Sequence, residues 1–338
     1  MTPTAFAERP IAADPANPPR PASPVTERAT AFVAARKAEA ETLGRKLARD
    51  IDEPDRFAAA LSKGFRRLAD PEYHDGSHMV IPTLGPSHGV RWPLIQAIVR
   101  GFRDATRRES TSTWLFLAGR LFRELEIEAR WFAFALLDRL LDTEPERTWQ
   151  LLRRAAREAE DWATVDALAH PVGRGILNEA YRWAELEQLV YSPRRWERRL
   201  VGSTVATIPS VDRRRGRTPD VAAHGLGLIR ELIGDAEPDV QKALAWALRS
   251  MAGVDLAATT AFLRAETDIA AANADGHRAW VIRDTLTKLD PADAETLRGH
   301  LEGIRRRAGA ASTSRASEIA DRFGRGVLGG PIEEPPLT

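Results

Sequence analysis

Residues 219–251 read PDVAAHGLGLIRELIGDAEPDVQKALAWALRSM, and this stretch predicts two consecutive α-helices. Each half begins with a proline, which the first position of a helix tolerates because an N–H there would have no partner. Apolar residues then recur at intervals of three and four, as they do on one face of a helix. The two helices are predicted at Pro219–Ile233 and Pro238–Met251.

The same amphipathic pattern recurs along most of the chain, separated by short breaks. A succession of paired helices with short connections is typical of helical-repeat proteins, although no regular period is legible here. We therefore predict an all-α solenoid whose inner helices line a concave groove. Besides a first helix from Thr26, the other helices are predicted at Pro54–Leu68, Trp92–Thr106, Ser112–Leu125, Glu126–Leu141, Pro145–Glu158, Trp162–Ala169, Arg174–Val190, Pro193–Ile208, Leu256–Glu266, Asp275–Leu289 and Ala292–Arg307.

Composition supports this fold class. Ala, Leu, Arg and Glu dominate the 338 residues and Tyr occurs only three times, a balance that favours helices over sheets. The absence of cysteine excludes disulfides, thiolate metal sites and a catalytic thiol, and fits a cytoplasmic, nucleoid-associated location. No apolar run approaches the roughly 18 residues of a membrane span. We expect a soluble protein.

Three regions are predicted from the distribution of proline and of apolar periodicity. Residues 1–25 contain seven prolines and no helical period, so they are predicted to be a disordered tail without a signal peptide. Residues 26–310 form the predicted solenoid domain, and residues 311–338 a C-terminal helix or flexible tail. The segment Tyr73–Gly89 mixes Gly, Pro, His and Thr and is predicted to be a loop. Its histidines, His74, His78 and His88, are interpreted as loop residues rather than metal ligands, since no helix fixes their spacing.

Charge is concentrated locally. The whole chain carries a formal net charge of +1, with 49 basic and 48 acidic residues. The window from Tyr191 to Arg217, however, contains eight arginines against Glu197 and Asp212. Arginine binds phosphate oxygens through a planar fork of donors, so this window predicts a groove that grips a polyanion, best interpreted as double-stranded DNA. The predicted DNA-binding residues are Arg194, Arg195, Arg198, Arg199, Arg213, Arg214, Arg215 and Lys242, with the 213–215 run as a phosphate-gripping loop.

One short helix carries the candidate chemistry. Trp162 and Asp166 are four residues apart, which places them on one helical face. Asp161 is predicted to cap the start of the helix. Val165, Leu168 and Ala169 supply its buried side. The following inner helices hold Arg199 and Trp246, so two tryptophans, an aspartate and an arginine are predicted to converge in the groove.

These segments resemble the AlkD family of HEAT-like DNA alkylation repair glycosylases, in the order and spacing of helices from about Trp92 to Leu289. The resemblance implies a HEAT-like fold and assigns Asp166 to the family's catalytic aspartate and Trp162 to the tryptophan one turn before it. It also assigns Trp246 to the tryptophan of the late helix and Arg199 to the arginine that contacts the DNA backbone near the lesion. It places no counterpart of the family's early aromatic residue with certainty, since Tyr73 is displaced.

The resemblance implies base excision. A purine alkylated at N3 or N7, such as 3-methyladenine or 7-methylguanine, is already cationic, so its glycosidic bond can break without a general acid. Asp166 would stabilise the oxocarbenium-like sugar and position or deprotonate the attacking water, while Trp162 and Trp246 present π-faces to the cation. The family cuts without a base-binding pocket. No metal or organic cofactor is expected, and a monomer suffices.

Two other functions remain open from the sequence. The chain could be a non-catalytic repeat protein that binds distorted or branched DNA with the same groove, or a protein-binding helical scaffold. Only the glycosylase reading predicts that Asp166→Asn abolishes turnover while DNA binding survives. The tryptophans outside the constellation are assigned to the core; they are Trp92, Trp114, Trp131, Trp149, Trp183 and Trp280, with Trp196 also assigned to packing.

Overall fold

A computed structural model of the chain describes residues 23–81 and 84–323, and within these ranges the secondary structure consists of helices without strands. The predicted all-α class is therefore confirmed for the described part of the chain. The helices are α1 (Pro24–Leu47), α2 (Pro54–Leu68), α3 (Pro71–Val80), α4 (Trp92–Ala105), α5 (Thr111–Leu121), α6 (Ile127–Leu140), α7 (Pro145–Glu158), α8 (Trp162–Asn178), α9 (Arg182–Gln188), α10 (Arg195–Val211), α11 (Pro219–Leu232), α12 (Pro238–Ala252), α13 (Leu256–Asn273), α14 (Gly276–Thr285), α15 (Pro291–His300) and α16 (Arg315–Phe323), with 3-10 turns at Ala48–Asp50, Leu189–Tyr191 and Leu286–Lys288.

The helices form two layers. In the inner row α1, α4, α6, α8, α10, α12 and α14 pack successively, each against the next. The outer row contains α2, α5, α7, α11, α13 and α15. Contacts such as α5 with α6, α7 with α8 and α11 with α12 join the two rows. A continuous apolar core fills the space between the rows. This arrangement confirms the predicted helical-repeat solenoid, and the inner row carries the candidate site.

The helices begin where local chemistry satisfies their free N–H groups. Proline stands in the first turn of α2, α7, α11 and α12, as the sequence predicted. The predicted cap of α8 is also confirmed, because the Asp161 carboxylate accepts hydrogen bonds from the Thr164 backbone N–H (2.8 Å) and hydroxyl (2.7 Å). The capped helix buries Val165, Leu168 and Ala169 as predicted.

Several predicted boundaries differ from the structure, including the start of the helix predicted at Pro193, which begins at Arg195. The helix predicted to end at Ala169 continues to Asn178, with Pro171 inside it. Packing of α8 between α6 and α10 on either side holds the helix together where proline removes one backbone hydrogen bond. The chain then forms only the short helix α9 in place of the predicted helix Arg174–Val190. The segment predicted as a loop from Tyr73 to Gly89 is wrong in its first half, since residues 73–80 belong to α3.

Helix α3 forms despite its glycine and histidine content because its N-terminus is capped. Pro71 occupies the first turn, and the Asp70 carboxylate caps it by accepting from the Tyr73 N–H at 3.3 Å. His74 and His78 consequently lie on this helix, with ring centroids 4.6 Å apart.

The predicted terminal regions are only partly described. Residues 1–22 and 324–338 of the two predicted tails lie outside the described residues, whereas α1 already begins at Pro24 and α16 lies in the C-terminal region. None of the helices within 23–81 and 84–323 is long and apolar enough to cross a membrane.

Candidate active site

The carboxylate of Asp166 lies on the inner row, where α8 meets α10. It accepts hydrogen bonds from Arg199 Nε (3.2 Å), Arg199 Nη2 (2.9 Å) and the Ser203 hydroxyl (2.6 Å). The two donor residues are four apart on α10, so both reach the same point. The Asp166 side chain retains 21% of its exposure, against 7% for Arg199. The site therefore presents a carboxylate that is held in one orientation yet open to the groove.

Arg199 binds acceptors of the protein itself. Besides its two bonds to Asp166, it donates through Nη1 to the Asp239 carbonyl oxygen at 2.7 Å, and its guanidinium carbon lies 5.8 Å from the centre of the Trp162 ring. Trp162, Asp166 and Arg199 are thus brought together as the sequence predicted. Three of the five N–H donors of Arg199 bind acceptors of the protein, and two of these three hold the Asp166 carboxylate in its orientation.

An aromatic cleft of about 760 Å³ borders Asp166. Trp162 on α8, Trp131 on α6, Trp92 on α4 and Tyr73 on α3 all line it. Trp92 and Trp131 meet edge to face with ring centroids 6.2 Å apart. Both tryptophans pack in or against the core as predicted, and both also form the wall of a cleft at Asp166.

Tyr73 is fixed by its neighbours on the far side of that cleft. Arg91 lies with its guanidinium carbon 4.8 Å from the centre of the Tyr73 ring and donates through Nε to Asp70 at 2.6 Å. Asp70 is also the cap of α3, so one buried carboxylate positions both the helix and the arginine. Tyr73 therefore lines the aromatic cleft at Asp166 from α3.

Hydrogen bonds to one buried carboxylate fix the turn that leads into α4. Buried Glu128 on α6 accepts from the backbone N–H groups of His88 (2.8 Å), Gly89 (2.8 Å) and Val90 (3.2 Å). Gly89 has a φ of 76°, and a Cβ there would lie 2.6 Å from the His74 side chain, so glycine is required at this position. The hydrogen bonds of Glu128 thus fix the start of α4 and with it Trp92.

A second, polar cavity of about 470 Å³ also borders Asp166. His170 and Arg174, one and two turns further along α8, both donate to Asp138 of α6, from Nδ1 and Nε respectively, each at 2.9 Å. Burial opposes ionisation of Asp138, but the hydrogen bonds and charges of His170 and Arg174 outweigh it and lower the pKa of this carboxyl. Arginines of three inner helices line the cavity, namely Arg100, Arg103, Arg139 and Arg174.

The other predicted residues lie outside the two cavities at Asp166. Half-buried Trp246 packs against the core on α12 and lines neither cavity, so the predicted convergence of Trp246 on Asp166 is not found in either of them. Lys242, one turn before Trp246, is exposed.

Most of the predicted arginines bind acceptors of the protein. Arg194 donates to the Arg157 carbonyl oxygen at 2.7 Å, Arg195 pairs with Glu237 at 3.6 Å, and Arg198 donates to Asp235 at 2.6 Å. These side chains consequently tie neighbouring helices together. Acids from distant segments pair with three of the eight arginines in the window from Tyr191 to Arg217, namely Arg195, Arg198 and Arg199.

The loop 212–218 between α10 and α11 is organised around Asp212. This carboxylate accepts from the backbone N–H groups of Arg214 and Arg215 and from Arg215 Nε, which lowers the pKa of Asp212 to about 2. Arg215 also donates to the Leu177 carbonyl oxygen at the end of α8. The side chains of Arg213 and Arg214 are exposed and have no ion pair within the described residues.

The inner row of helices presents a fixed carboxylate between an aromatic cleft and an arginine-lined cavity. This arrangement defines a class of helical-repeat protein suited to a ligand with both apolar rings and anionic groups. Comparison with known proteins makes this class specific. Residues 61–289 match the family described as DNA alkylation repair enzyme, and the chain belongs to this family. No curated protein matches the chain. The match covers the part of the described chain that runs from α2 to the 3-10 turn after α14, which includes all of the site. The chain is therefore a DNA alkylation repair protein that binds DNA.

Proposed function

We propose that the protein is a monofunctional DNA glycosylase that hydrolyses the N-glycosidic bond of purines alkylated at N3 or N7 in duplex DNA. The observation that carries this proposal is the position of Asp166: a carboxylate with fixed orientation, partly open to the groove and flanked by aromatic rings. Protonation of the leaving base is unnecessary for such cationic purines, so the reaction requires mainly stabilisation of the developing positive sugar.

The site residues divide this work. The Asp166 carboxylate faces the oxocarbenium-like sugar and stabilises it electrostatically, while Arg199 and Ser203 keep the carboxylate from rotating away. Since three donors already occupy its oxygens, we assign Asp166 a charge-stabilising role before a proton-accepting one. The aromatic faces of Trp162, Trp131 and Tyr73 offer about 0.5–2 kcal/mol each to a cationic purine.

The aromatic cleft adds one expectation about the substrate. It is lined largely by apolar side chains and borders the carboxylate directly, so it offers room for an alkyl adduct on the damaged base without a closed pocket. The protein is expected to act as a monomer and in the cytoplasm, where the chromosome lies.

The test is release of free base from a duplex that contains a single N7-methylguanine, measured by chromatography under single-turnover conditions. The proposal predicts release of 7-methylguanine and an abasic strand that remains uncut until it is treated with alkali. If the protein binds this duplex but releases no base, the proposal is refuted, and a non-catalytic role in recognising distorted DNA takes its place. Binding to a four-way junction with higher affinity than to the damaged duplex would strengthen that second reading.

A further inference from the structure

The polar cavity beside Asp166 contains more positive than negative charge. Four arginines and His170 line it, against the two carboxylates of Asp138 and Asp166. Both carboxylates already have partners, because Asp166 binds Arg199, and Asp138 binds His170 and Arg174. The carboxylates therefore leave part of the arginine charge without compensation.

Two of the arginines carry this excess. Arg100 pairs with Glu41 at 2.8 Å, outside the cavity. Arg103 forms no ion pair within 4 Å inside the described ranges, and its Nε is buried without a hydrogen-bond partner. The nearest carboxylate to Arg139 is the shared Asp138, at 3.7 Å. Arg103 and Arg139 thus face one cavity with their charges largely unmatched.

The charge of Arg103 is costly where it lies. Burial lowers the pKa of its guanidinium, and the nearby positive charge of Arg139 lowers it further; the negative charges of Asp104 and Asp138 oppose this shift without cancelling it. A basic patch on a protein is usually a solvated face, and such a face carries no penalty of this kind. A half-buried guanidinium without an acceptor and next to a second one is instead the arrangement that an external anion would relieve.

The position of the cavity limits which anion this is. Asp166, Ala167 and Trp92 line both the polar cavity and the aromatic cleft, so the two are neighbours. A nucleotide has the same division, with an apolar base at one end of its sugar and an anionic phosphodiester at the other. With the base against the aromatic cleft and the sugar at Asp166, the phosphodiester reaches the polar cavity.

We propose that Arg103 and Arg139 form a binding site for the phosphodiester next to the damaged nucleotide. The site is additional to the phosphate contact that the family resemblance assigns to Arg199. The inference rests on the proposed function, since it assumes that the nucleotide straddles Asp166.

The test measures binding rather than catalysis. The probe is a duplex with one stable tetrahydrofuran abasic residue, in which single phosphodiesters around that residue are replaced in turn by uncharged methylphosphonates. Wild-type protein is expected to bind about tenfold more weakly when one particular phosphodiester is neutralised, the loss associated with a charge-assisted hydrogen bond. Arg103→Gln and Arg139→Gln should each bind the unmodified duplex about tenfold more weakly and be insensitive to that same replacement.

Two further measurements exclude indirect effects. Each variant should lower the slope of log K against log salt by about 0.9, the value for one lost phosphate contact. Arg154→Gln is the matched control, because Arg154 lies on α7 in the outer row, pairs with Glu158 and is 51% exposed; its slope and affinity should equal those of the wild type. Arg103→Gln removes an unmatched buried charge, so it should unfold at the same or a higher temperature than the wild type.

The outcomes separate this inference from the proposed function. If Arg103→Gln and Arg139→Gln remain as sensitive to every methylphosphonate as the wild type, the site is refuted even when base release is found. If the variants lose sensitivity at one phosphodiester but no base is released, the site stands and the glycosylase proposal is refuted. If millimolar inorganic phosphate protects Arg103 from chemical modification as well as the duplex does, and the methylphosphonate scan shows no dependence on position, the cavity is a site for free phosphate and the proposal is overturned.

Discussion

Replacing Asp166 by Asn removes the charge at the centre of the candidate site while keeping its shape. The change leaves one carbonyl oxygen to accept from Arg199 or Ser203 and replaces the other by an amide that cannot accept. Arg199, which is 7% exposed, then lacks a counter-ion, although the Asp239 carbonyl oxygen still accepts from its Nη1. The variant therefore tests both catalysis and the stability of the α8–α10 contact.

The two effects have different expected sizes. Removing one partner of a buried ion pair costs about 3–5 kcal/mol when the other charge is left without any acceptor. Arg199 keeps acceptors here, so a loss nearer the about 1.5–3 kcal/mol of one charged hydrogen bond is expected in the free energy of unfolding. Base release should fall by about 10²–10³, the effect of losing one fixed group that stabilises transition-state charge.

The assay is single-turnover release of 7-methylguanine at a temperature well below the unfolding transition of the variant, with thermal unfolding followed by circular dichroism. Ser203→Ala is the matched control, because it removes one hydrogen bond to Asp166 at 2.6 Å and leaves the charge in place. Its rate should fall less than about tenfold, in line with a net value near 1 kcal/mol for one hydrogen bond. Base release by Asp166→Asn at the wild-type rate would refute the catalytic role of the carboxylate.

Three further outcomes are expected. Trp162→Ala should slow base release by about 2- to 30-fold through the lost contact with the cation, whereas Trp246→Ala should slow it less because Trp246 lines neither cavity; the reverse order would contradict the assignment of the aromatic cleft. Arg213→Gln and Arg214→Gln should each weaken binding to all duplexes alike and lower the salt slope by about 0.9, and unchanged slopes would show that the loop does not contact DNA. Asp138→Asn should lower the melting temperature at pH 7, and the difference should shrink as the pH falls below about 4; a lowered native pKa contributes stability above the unfolded pKa and loses it on acidification, so a difference independent of pH would contradict this reasoning.

The sequence predicts features that depend on neighbours within one helix. The shared face of Trp162 and Asp166, the cap at Asp161 and the proline at the start of α12 follow from helical geometry and were found as predicted. The continuation of α8 through Pro171 was not predicted, because the contacts that hold it come from other helices.

Contacts between distant segments were not predictable in the same way. An amphipathic pattern shows that Trp92 and Trp131 lie on the apolar side of their helices, but it does not distinguish a core contact from the wall of a cleft. The pairing of His170 with Asp138 was not visible in the sequence, since Asp138 lies 32 residues earlier in the chain. A histidine one turn after a predicted catalytic aspartate nevertheless indicates a second polar group near the site, because the two must share a helical face.

The pairing of the arginines changes how the groove recognises DNA. A count along the sequence assigns the positive field to residues 191–217, but acids and carbonyl oxygens of the protein bind most of those side chains. Charge that is already matched contributes little to an external phosphate. Arg103 has no ion pair within the described residues, and Arg139 shares its partner Asp138 with His170 and Arg174, so these two arginines matter more than their number suggests. Their charge lies beside Asp166. Attraction of the backbone and alignment of the sugar with the carboxylate are therefore served by the same few residues, which ties affinity for DNA to the geometry needed for cleavage.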